Sequence, residues 1–345
     1  MISAELVAKR RIEVRERPMP ADPASGEVLV QLRAVGICGS DLHWFQDGGV
    51  GHVTAVYPMV LGHEPVGDIV AVGPDVTSHR IGDRVAIEPS ITCGRCEYCR
   101  SGFPNNCTNC VFMGGPHSPG FYRQFATVRE SNADLVPREI DCLTATLIEP
   151  TAVIVHVLEL TRIRLGDTVL VLGAGPIGLL TAHMARLAGA TRILLADRVP
   201  HRLELGRSIQ CADCYIDTRR EKVIDAVMDL TQSRGADIVF DAAAHPDTMH
   251  AAIHAARPGG QFVLIGIPAE KSPPLDIHAA MFRELRIQTI KRSNHKGHEA
   301  IELIRAGKIP TRLITHRMGL DQTHEAFELV SDYRDGVGKL VIEMP

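Results

Sequence analysis

Four of the nine cysteines in this chain lie within fifteen residues, in CGRCEYCRSGFPNNC. The four are Cys93, Cys96, Cys99 and Cys107. Their C-x2-C-x2-C-x7-C spacing lets one loop supply four thiolates to one ion, and sulfur at every corner of a tetrahedron leaves no position for water or substrate. The pattern therefore predicts a closed, structural metal site. A CxxC redox couple is the alternative, and it would leave two of the thiols idle.

A second set of ligand types comes from three separated pieces of the chain: Cys38 in GICGSDLHW, His63 and Glu64 in LGHEPVG, and Glu149 in LIEPTAV. A thiolate, an imidazole and a carboxylate form an open three-ligand site, which suits zinc with its fourth position left for water or a substrate hydroxyl. Each of these residues also has an ordinary structural interpretation when it is considered alone. Cys38 could be a buried thiol, His63 a hydrogen-bonded loop histidine, and Glu149 an acid at the start of a helix. Spacing alone favours those ordinary interpretations.

A glycine-rich turn, GAGPIG, follows the strand-like run TVLVL and precedes a helix-like run. Its residues with a predicted role in cofactor binding are Gly173, Gly175, Pro176, Ile177 and Gly178. The glycines permit the turn, the approach of a pyrophosphate and the packing of helix on strand, and the helix N-terminus attracts phosphate. Asp197 ends the next strand, where a carboxylate binds the ribose hydroxyls of NAD and repels the 2'-phosphate of NADP. Arg198 could tolerate that phosphate, and Arg202 lies either over the adenosine or on a solvated helix face.

The pattern of strands and helices must position these groups. Residues 28–37 and 66–88 contain short β-branched runs broken by Gly, Pro and Asp, as in a strand-rich, partly antiparallel region. From Asp167 onward, strand-like and helix-like runs alternate, which predicts βαβ units and a parallel sheet. After about residue 290 the pattern resembles the first part again and ends in the strand-like KLVIEM. These changes predict two domains, the second inserted in the first.

Composition limits the class of protein. The 345 residues are 45% hydrophobic and 23% charged, with a net charge of -4 and no block of like charge. We therefore expect a small-molecule substrate, with no nucleic-acid or membrane partner. The uncharged stretch 168–185 contains the glycine turn, which favours a strand and a helix over a membrane span. We find no secretory signal and expect a reducing cytoplasmic location, which also disfavours disulfides.

The motifs together resemble the zinc-containing medium-chain dehydrogenase/reductase family. They are GICGSD, GHE-x2-G-x5-G-x2-V from Gly62 to Val76, the four-cysteine lobe and GAGPIG, in that order along nearly the whole chain. GICGSDLHWFQDGGVG, PMVLGHE, RVAIEP and LIEPTAVIVH most resemble the polyol dehydrogenase branch. The resemblance implies an α/β fold in which a doubly wound Rossmann domain (150–289) is inserted in a GroES-like β-rich catalytic domain (1–149 and 290–345, with a zinc lobe near 90–110). It also implies a homotetramer or a homodimer.

The resemblance assigns roles to individual residues. It implies a catalytic zinc at Cys38, His63, Glu64 and Glu149, a structural zinc at Cys93, Cys96, Cys99 and Cys107, and NAD as cofactor. Ser40 and His43 match the proton relay, and Asp41 matches the carboxylate that orients His63. Trp44 and Arg292 match substrate contacts, although the segment IKRSNHKGHE around Arg292 departs from the aromatic-rich pattern of the branch.

The implied reaction is hydride transfer from a secondary hydroxyl of a polyol to NAD, which gives a ketose. Zinc would lower the pKa of the hydroxyl, and its proton would leave through Ser40, the cofactor ribose and His43. A threonine 3-dehydrogenase, which GIPAEKSPPLDIH resembles, or a sugar-acid dehydrogenase is the nearest alternative. Glu149 within IEP favours the polyol branch. A catalytically silent binding protein is the third alternative, and the intact Cys38, His63 and Glu64 set disfavours it.

Overall fold

The structure is a computed structural model that describes every residue from Met1 to Pro345. Its contacts divide the chain into two compact units. Unit 1 comprises Met1–Val153 and Ser293–Pro345, and unit 2 comprises Ile154–Arg292. The sequence predicted domain boundaries after residues 149 and 289. Each lies a few residues before the observed division, which follows Val153 and Arg292. Arg292, predicted to lie in the catalytic domain, is the last residue of unit 2.

The secondary structure elements follow in chain order. The N-terminal part of unit 1 contains β1 (Ile2–Ala8), β2 (Arg11–Glu16), β3 (Glu27–Gly36), α1 (Gly39–Asp47), β4 (Gly49–Val50), β5 (Val53–Thr54), β6 (Glu64–Val72), β7 (Arg84–Ile87), β8 (Ser90–Ile91), α2 (Glu97–Arg100), β9 (Val111–Phe112), β10 (Phe125–Arg129), β11 (Ala133–Leu135) and α3 (Cys142–Ala145). Helix α4 (Ile148–Leu160) contains the division between the units. Unit 2 continues with β12 (Thr168–Leu172), α5 (Pro176–Leu187), β13 (Arg192–Asp197), α6 (Pro200–Ser208), β14 (Cys214–Asp217), α7 (Val223–Leu230), β15 (Ala236–Asp241), α8 (Pro246–Ala255), β16 (Ala256–Leu264), α9 (Ile277–Phe282) and β17 (Arg286–Thr289). The C-terminal part of unit 1 contains α10 (Gly297–Arg305), β18 (Ile314–Gly319), α11 (Thr323–Ser331) and β19 (Lys339–Glu343).

Unit 1 is built on a seven-stranded sheet in the order β11-β7-β6-β3-β19-β18, with β10 also paired to β3. One face of strand β3 packs in the core, and its Val28, Val30 and Leu32 are fully buried. The pairing of β3 with β6 is antiparallel and sets Gly36 opposite Glu64. The last residue of β3 therefore lies beside the first residue of β6. This brings Cys38, just after β3, close to His63, just before β6.

Unit 2 is a six-stranded parallel sheet in the order β14-β13-β12-β15-β16-β17. Numbered within the unit, this is the order 3-2-1-4-5-6 of a doubly wound dinucleotide-binding fold. The chain order reverses between β12 and β15, so the crevice at their carboxyl ends is the expected ligand site. The predicted Rossmann fold is confirmed, and the glycine turn lies at this switch point.

One part of unit 1 differs from the sequence-based expectation. The segment after residue 290 contains helices α10 and α11, whereas its pattern was interpreted as resembling the strand-rich first part. Both helices are amphipathic, with Ala300, Ile301 and Ile304 buried in α10 and Phe327 and Val330 in α11, so their apolar spacing was the signal that was missed.

One helical stretch, Cys142–Leu160, is long and apolar enough to cross a membrane by length and composition, and 56% of its most apolar window is buried within the protein. A core helix has the same properties, so the stretch is weak evidence for a membrane span.

Candidate metal and cofactor sites

The open metal site has three donors from two neighbouring elements of unit 1. Cys38 caps the N-terminus of α1, His63 precedes β6, and Glu64 is the first residue of that strand. One ligand atom from each lies within 4.8 Å of the other two. His63 and Glu64 are buried, while Cys38 is partly exposed. Sulfur, nitrogen and oxygen donors at this spacing fit a zinc ion with a position left open, so the residues present suit the group that the motifs imply.

Asp41 holds His63 in the orientation that a metal ligand requires. Its Oδ1 lies 3.2 Å from His63 Nδ1, which leaves Nε2 for the metal. The carboxylate also accepts hydrogen bonds from the N–H groups of Cys38 and Gly62 and from the Tyr122 hydroxyl. Burial raises the pKa of Asp41, but the charge of His63 and these hydrogen bonds outweigh it and lower the pKa. The predicted role of Asp41 is therefore supported by geometry.

A buried lysine completes the charge balance of this site. Lys339 Nζ forms an ion pair with Glu64 and donates a 2.9 Å hydrogen bond to the Ile37 carbonyl. The two charged side chains are only 2% and 1% exposed. A Cβ at Gly36 would collide with the Glu64 carboxylate and the end of Lys339, so this position requires glycine. The sequence analysis missed both Lys339 and Tyr122.

Glu149 lies in the first turn of α4 and lines a cavity of about 10 Å³ that Glu64 and Glu88 also line. That volume is about what one water molecule needs. Burial raises the pKa of Glu149 to about 8; the charges of His63 and Lys339 oppose this rise, and those of Glu64 and Glu88 add to it. Glu149 is outside the group of three close donors. Its predicted link to zinc, directly or through water, stays a prediction.

The predicted relay residues both lie on α1. Ser40 Oγ is 3.3 Å from His63 Nε2, so its hydroxyl lies beside the metal-binding group. His43 Nδ1 is 3.0 Å from Asp47 Oδ2, one turn further along the helix. Trp44 is only 8% exposed and packs in the core of unit 1. Its predicted substrate contact, like that of Arg292, stays a prediction.

The four clustered cysteines form the second candidate metal site. Their sulfur atoms all lie within 4.8 Å of one another, and none is in a disulfide. The Cys96 and Cys99 sulfurs are 3.5 Å apart, close to the separation of about 3.8 Å between two corners of a tetrahedral zinc site. Hydrogen bonds from the Arg95 and Cys96 N–H groups lower the pKa of Cys93 to about 6, whereas burial and the neighbouring thiols raise the pKa of Cys99 to about 11. A bound cation would favour the thiolate form of all four, as a closed zinc site requires.

The cofactor-binding turn of unit 2 has the conformation that its glycines predict. Gly173 has φ +95°, and a Cβ at Gly178 would collide with the Gly173 carbonyl. A Cβ at Gly175 would meet nothing closer than Arg202, at 3.8 Å, so space for a phosphate remains there. No side chain caps α5, which begins at Pro176, so its first N–H groups can bind phosphate.

Asp197 is attached to this turn by its side chain. Its two oxygens accept hydrogen bonds from the N–H groups of Ala174, at 2.6 Å, and Val199, at 2.7 Å. Each carboxylate oxygen has two lone pairs, so one acceptor position per oxygen remains for a ribose hydroxyl. Arg202 lies beside Gly175, which places its guanidinium near the expected phosphates.

A doubly wound sheet with a glycine turn and an open sulfur, nitrogen and oxygen metal site define a metal-dependent dehydrogenase. Residues 24–138 match the alcohol dehydrogenase GroES-like domain, and residues 176–306 match the zinc-binding dehydrogenase domain.

Known proteins support the same conclusion. The chain is 33% identical to sorbitol dehydrogenase of Bacillus subtilis (strain 168), over 99% of this chain and 97% of that protein. It is 34% identical to a probable D-xylulose reductase A of Arthroderma otae, over 95% and 94% of the two chains. A zinc-binding dehydrogenase of Sinorhizobium meliloti 1021, solved with NADP bound, superposes with a TM-score of 0.90 at 30% identity, over 99% and 98%. The chain therefore belongs to the zinc-containing medium-chain dehydrogenase/reductase family and is an enzyme that uses zinc and a nicotinamide dinucleotide.

Proposed function

We propose that this enzyme oxidises a secondary hydroxyl of a polyol to a ketone, with NAD as the hydride acceptor. The observation that carries the proposal is the group of Cys38, His63 and Glu64, whose three donors would leave the fourth position of a zinc ion for a substrate oxygen. Its relatives include enzymes named for sorbitol and D-xylulose, a sugar alcohol and a ketose. This pair of names favours the interconversion of polyols and ketoses over the oxidation of simple alcohols.

Each residue of the site has a definable part in this reaction. Zinc held by Cys38, His63 and Glu64 would supply a Lewis acid that lowers the pKa of the substrate hydroxyl. Asp41 keeps the His63 ring in the ligating tautomer and orientation. Ser40 Oγ, 3.3 Å from His63 Nε2, would accept the hydroxyl proton, and His43, on the same helix, would be the group that finally takes it up.

We propose NAD over NADP because Asp197 ends β13 with a buried carboxylate beside the glycine turn. One structural neighbour was solved with NADP bound, so the proposal of NAD rests on this chain's own residues. Replacing Asp197 by Ala should raise the KM for NAD about ten- to a hundredfold, since charge-assisted hydrogen bonds to the ribose are lost. Asp217 ends the adjacent strand β14, so Asp217→Ala is the matched control.

We further propose two zinc ions per subunit, one in each of the two donor groups of unit 1, and a homo-oligomer in the cytoplasm. Two chemically distinct groups support the count, because one is closed by four sulfurs and the other is open. An unpaired edge strand with apolar neighbours supports self-association.

The test is initial rates with NAD across tetritols, pentitols, hexitols, threonine, aldonates and ethanol. We expect the highest kcat/KM for a pentitol or hexitol. Cys38→Ser should abolish turnover while leaving the melting temperature near that of the parent. Threonine, an aldonate or ethanol as the best substrate would overturn the polyol assignment. A Cys38 variant that keeps most of its turnover would overturn the assigned metal site.

A further inference from the structure

Two histidines and an aspartate of unit 2 form a third group of ligand types, away from the glycine turn. His250 and His254 lie one turn apart on α8, and their rings are 4.3 Å apart between centroids. Residues at this spacing lie on the same face of a helix. Both imidazole rings therefore lie side by side on one face of α8.

Asp276 completes the group from the segment that precedes α9. Its Oδ1 accepts a 2.9 Å hydrogen bond from the Ala279 N–H, which caps α9 and fixes the carboxylate. The other oxygen, Oδ2, lies 3.2 Å from His254 Nε2. One donor atom from each of His250, His254 and Asp276 lies within 4.8 Å of the other two.

We infer that these three side chains bind a divalent transition-metal ion of the zinc, nickel or cobalt type. Zinc bonds of about 2.0–2.2 Å to nitrogen and oxygen place tetrahedral ligands about 3.3 Å apart. The 3.2 Å between His254 and Asp276 already matches that separation. A hydrogen bond between these two residues explains their own contact, but it does not explain why the His250 ring lies against His254.

The donor set decides the class of ion. Two imidazoles and one carboxylate suit borderline divalent metals, whereas calcium and magnesium require mostly oxygen ligands. The absence of a thiolate from this set distinguishes it from the two groups of unit 1. His254 and Asp276 are 26% and 38% exposed, so solvent can fill the remaining coordination positions.

Metal binding here would connect two elements of unit 2. The chain between β16 and α9, residues 265–276, ends at Asp276, while both histidines belong to α8. An ion held by all three side chains joins the end of this connection to the helix. Because such an ion binds the folded state, it should raise the melting temperature. All three donors come from one subunit, so the site requires neither assembly nor catalysis.

The experiment uses the untagged full-length protein, dialysed to remove weakly held metal and then titrated with Zn²⁺ in equilibrium dialysis. We expect one further equivalent of zinc beyond the ions that survive dialysis, together with a higher melting temperature. His250→Ala and Asp276→Asn should each weaken this further equivalent at least about tenfold. Asn still caps α9, so Asp276→Asn keeps the local fold.

His278→Ala is the matched control, because His278 is an exposed histidine of α9 whose ring packs on Phe282 rather than on the site. It should bind the further equivalent as the parent does. Unchanged NAD turnover in His250→Ala would show that the variant folds. The inference is overturned if the parent binds no further equivalent, or if His250→Ala and Asp276→Asn bind it as tightly as the parent.

Discussion

Lys339 and Glu64 form an ion pair that is almost entirely removed from solvent. In protein stripped of zinc, replacing Lys339 by Met leaves the Glu64 charge buried without a cationic partner, and such a change typically costs about 3–5 kcal/mol. We expect urea unfolding of zinc-free Lys339→Met to show a loss of that order relative to the zinc-free parent. The double variant Lys339→Met with Glu64→Gln should recover much of it, because it has no unpaired charge. A Lys339→Met protein as stable as the parent would show that the pair contributes little to folding.

The residues of the metal group differ in how far the sequence could predict them. Cys38 and His63 stand in the motifs GICGSD and GHE, and the resemblance of those motifs to the family identified both residues as candidate ligands. Lys339 begins the apolar run KLVIEM, and a lysine at the first position of a strand is ordinarily exposed. Only the pairing of β19 with β3 places it beside Glu64. Long-range pairing of this kind cannot be derived from local pattern.

At the scale of elements, Asp237 joins the starts of two adjacent strands of unit 2. Its carboxylate accepts hydrogen bonds from the Thr168 N–H at the start of β12 and from Arg234 and Arg257. Burial raises the pKa of Asp237, but the two arginines and the Thr168 N–H outweigh it and hold the pKa well below its ordinary range. The stabilisation is therefore present above the unfolded-state pKa of about 4 and is lost as the pH falls below it.

Asp237→Asn should consequently destabilise the protein by about 1–3 kcal/mol at neutral pH, since charge-assisted hydrogen bonds are lost. Chemical unfolding of both proteins at a series of pH values gives the difference. It should be constant between about pH 7 and pH 5 and shrink below about pH 4. A difference that grows as the medium becomes more acidic would contradict this account.

The four-cysteine loop is an element that depends on its ion. It contains few apolar residues, and its helices α2 and Pro104–Asn106 are each only one turn or less. Cys96→Ser should lower the zinc content of the dialysed protein by about one ion per subunit and lower its melting temperature. Cys110→Ser is the matched control, because Cys110 belongs to the same loop but not to the group of four. Full zinc content and stability in Cys96→Ser would contradict the closed site.

Long, regular helices and strands were easier to predict from the sequence than short or irregular ones. The alternation of strands and helices in unit 2 was predicted closely, because each βαβ unit carries two distinct apolar periods. Helix α1 was not predicted at GSDLHWFQD, although Cys38, Ser40 and Asp41 were all selected there. Only three of its nine residues are buried, so its apolar periodicity is weak.

At the scale of the whole molecule, one edge of the unit 2 sheet has an unpaired strand. Strand β17 pairs only with β16 and ends the sheet. Beside it, Ile277, Met281 and Phe282 are 58%, 65% and 74% exposed, and Ile287 of the strand itself is 39% exposed. An unpaired edge with exposed apolar side chains favours association, and a two-fold axis would let β17 pair with its own copy.

Phe282→Glu should therefore lower the oligomeric state, because it places a charge within the apolar surface that the two copies would share. Sedimentation velocity at micromolar concentration compares it with the parent. Leu165→Glu is the matched control, since Leu165 is another apolar residue of unit 2, 89% exposed, outside the edge strand and α9. It should sediment as the parent does. A monomeric parent, or a Phe282→Glu variant that assembles as the parent does, would show that this edge is not the interface.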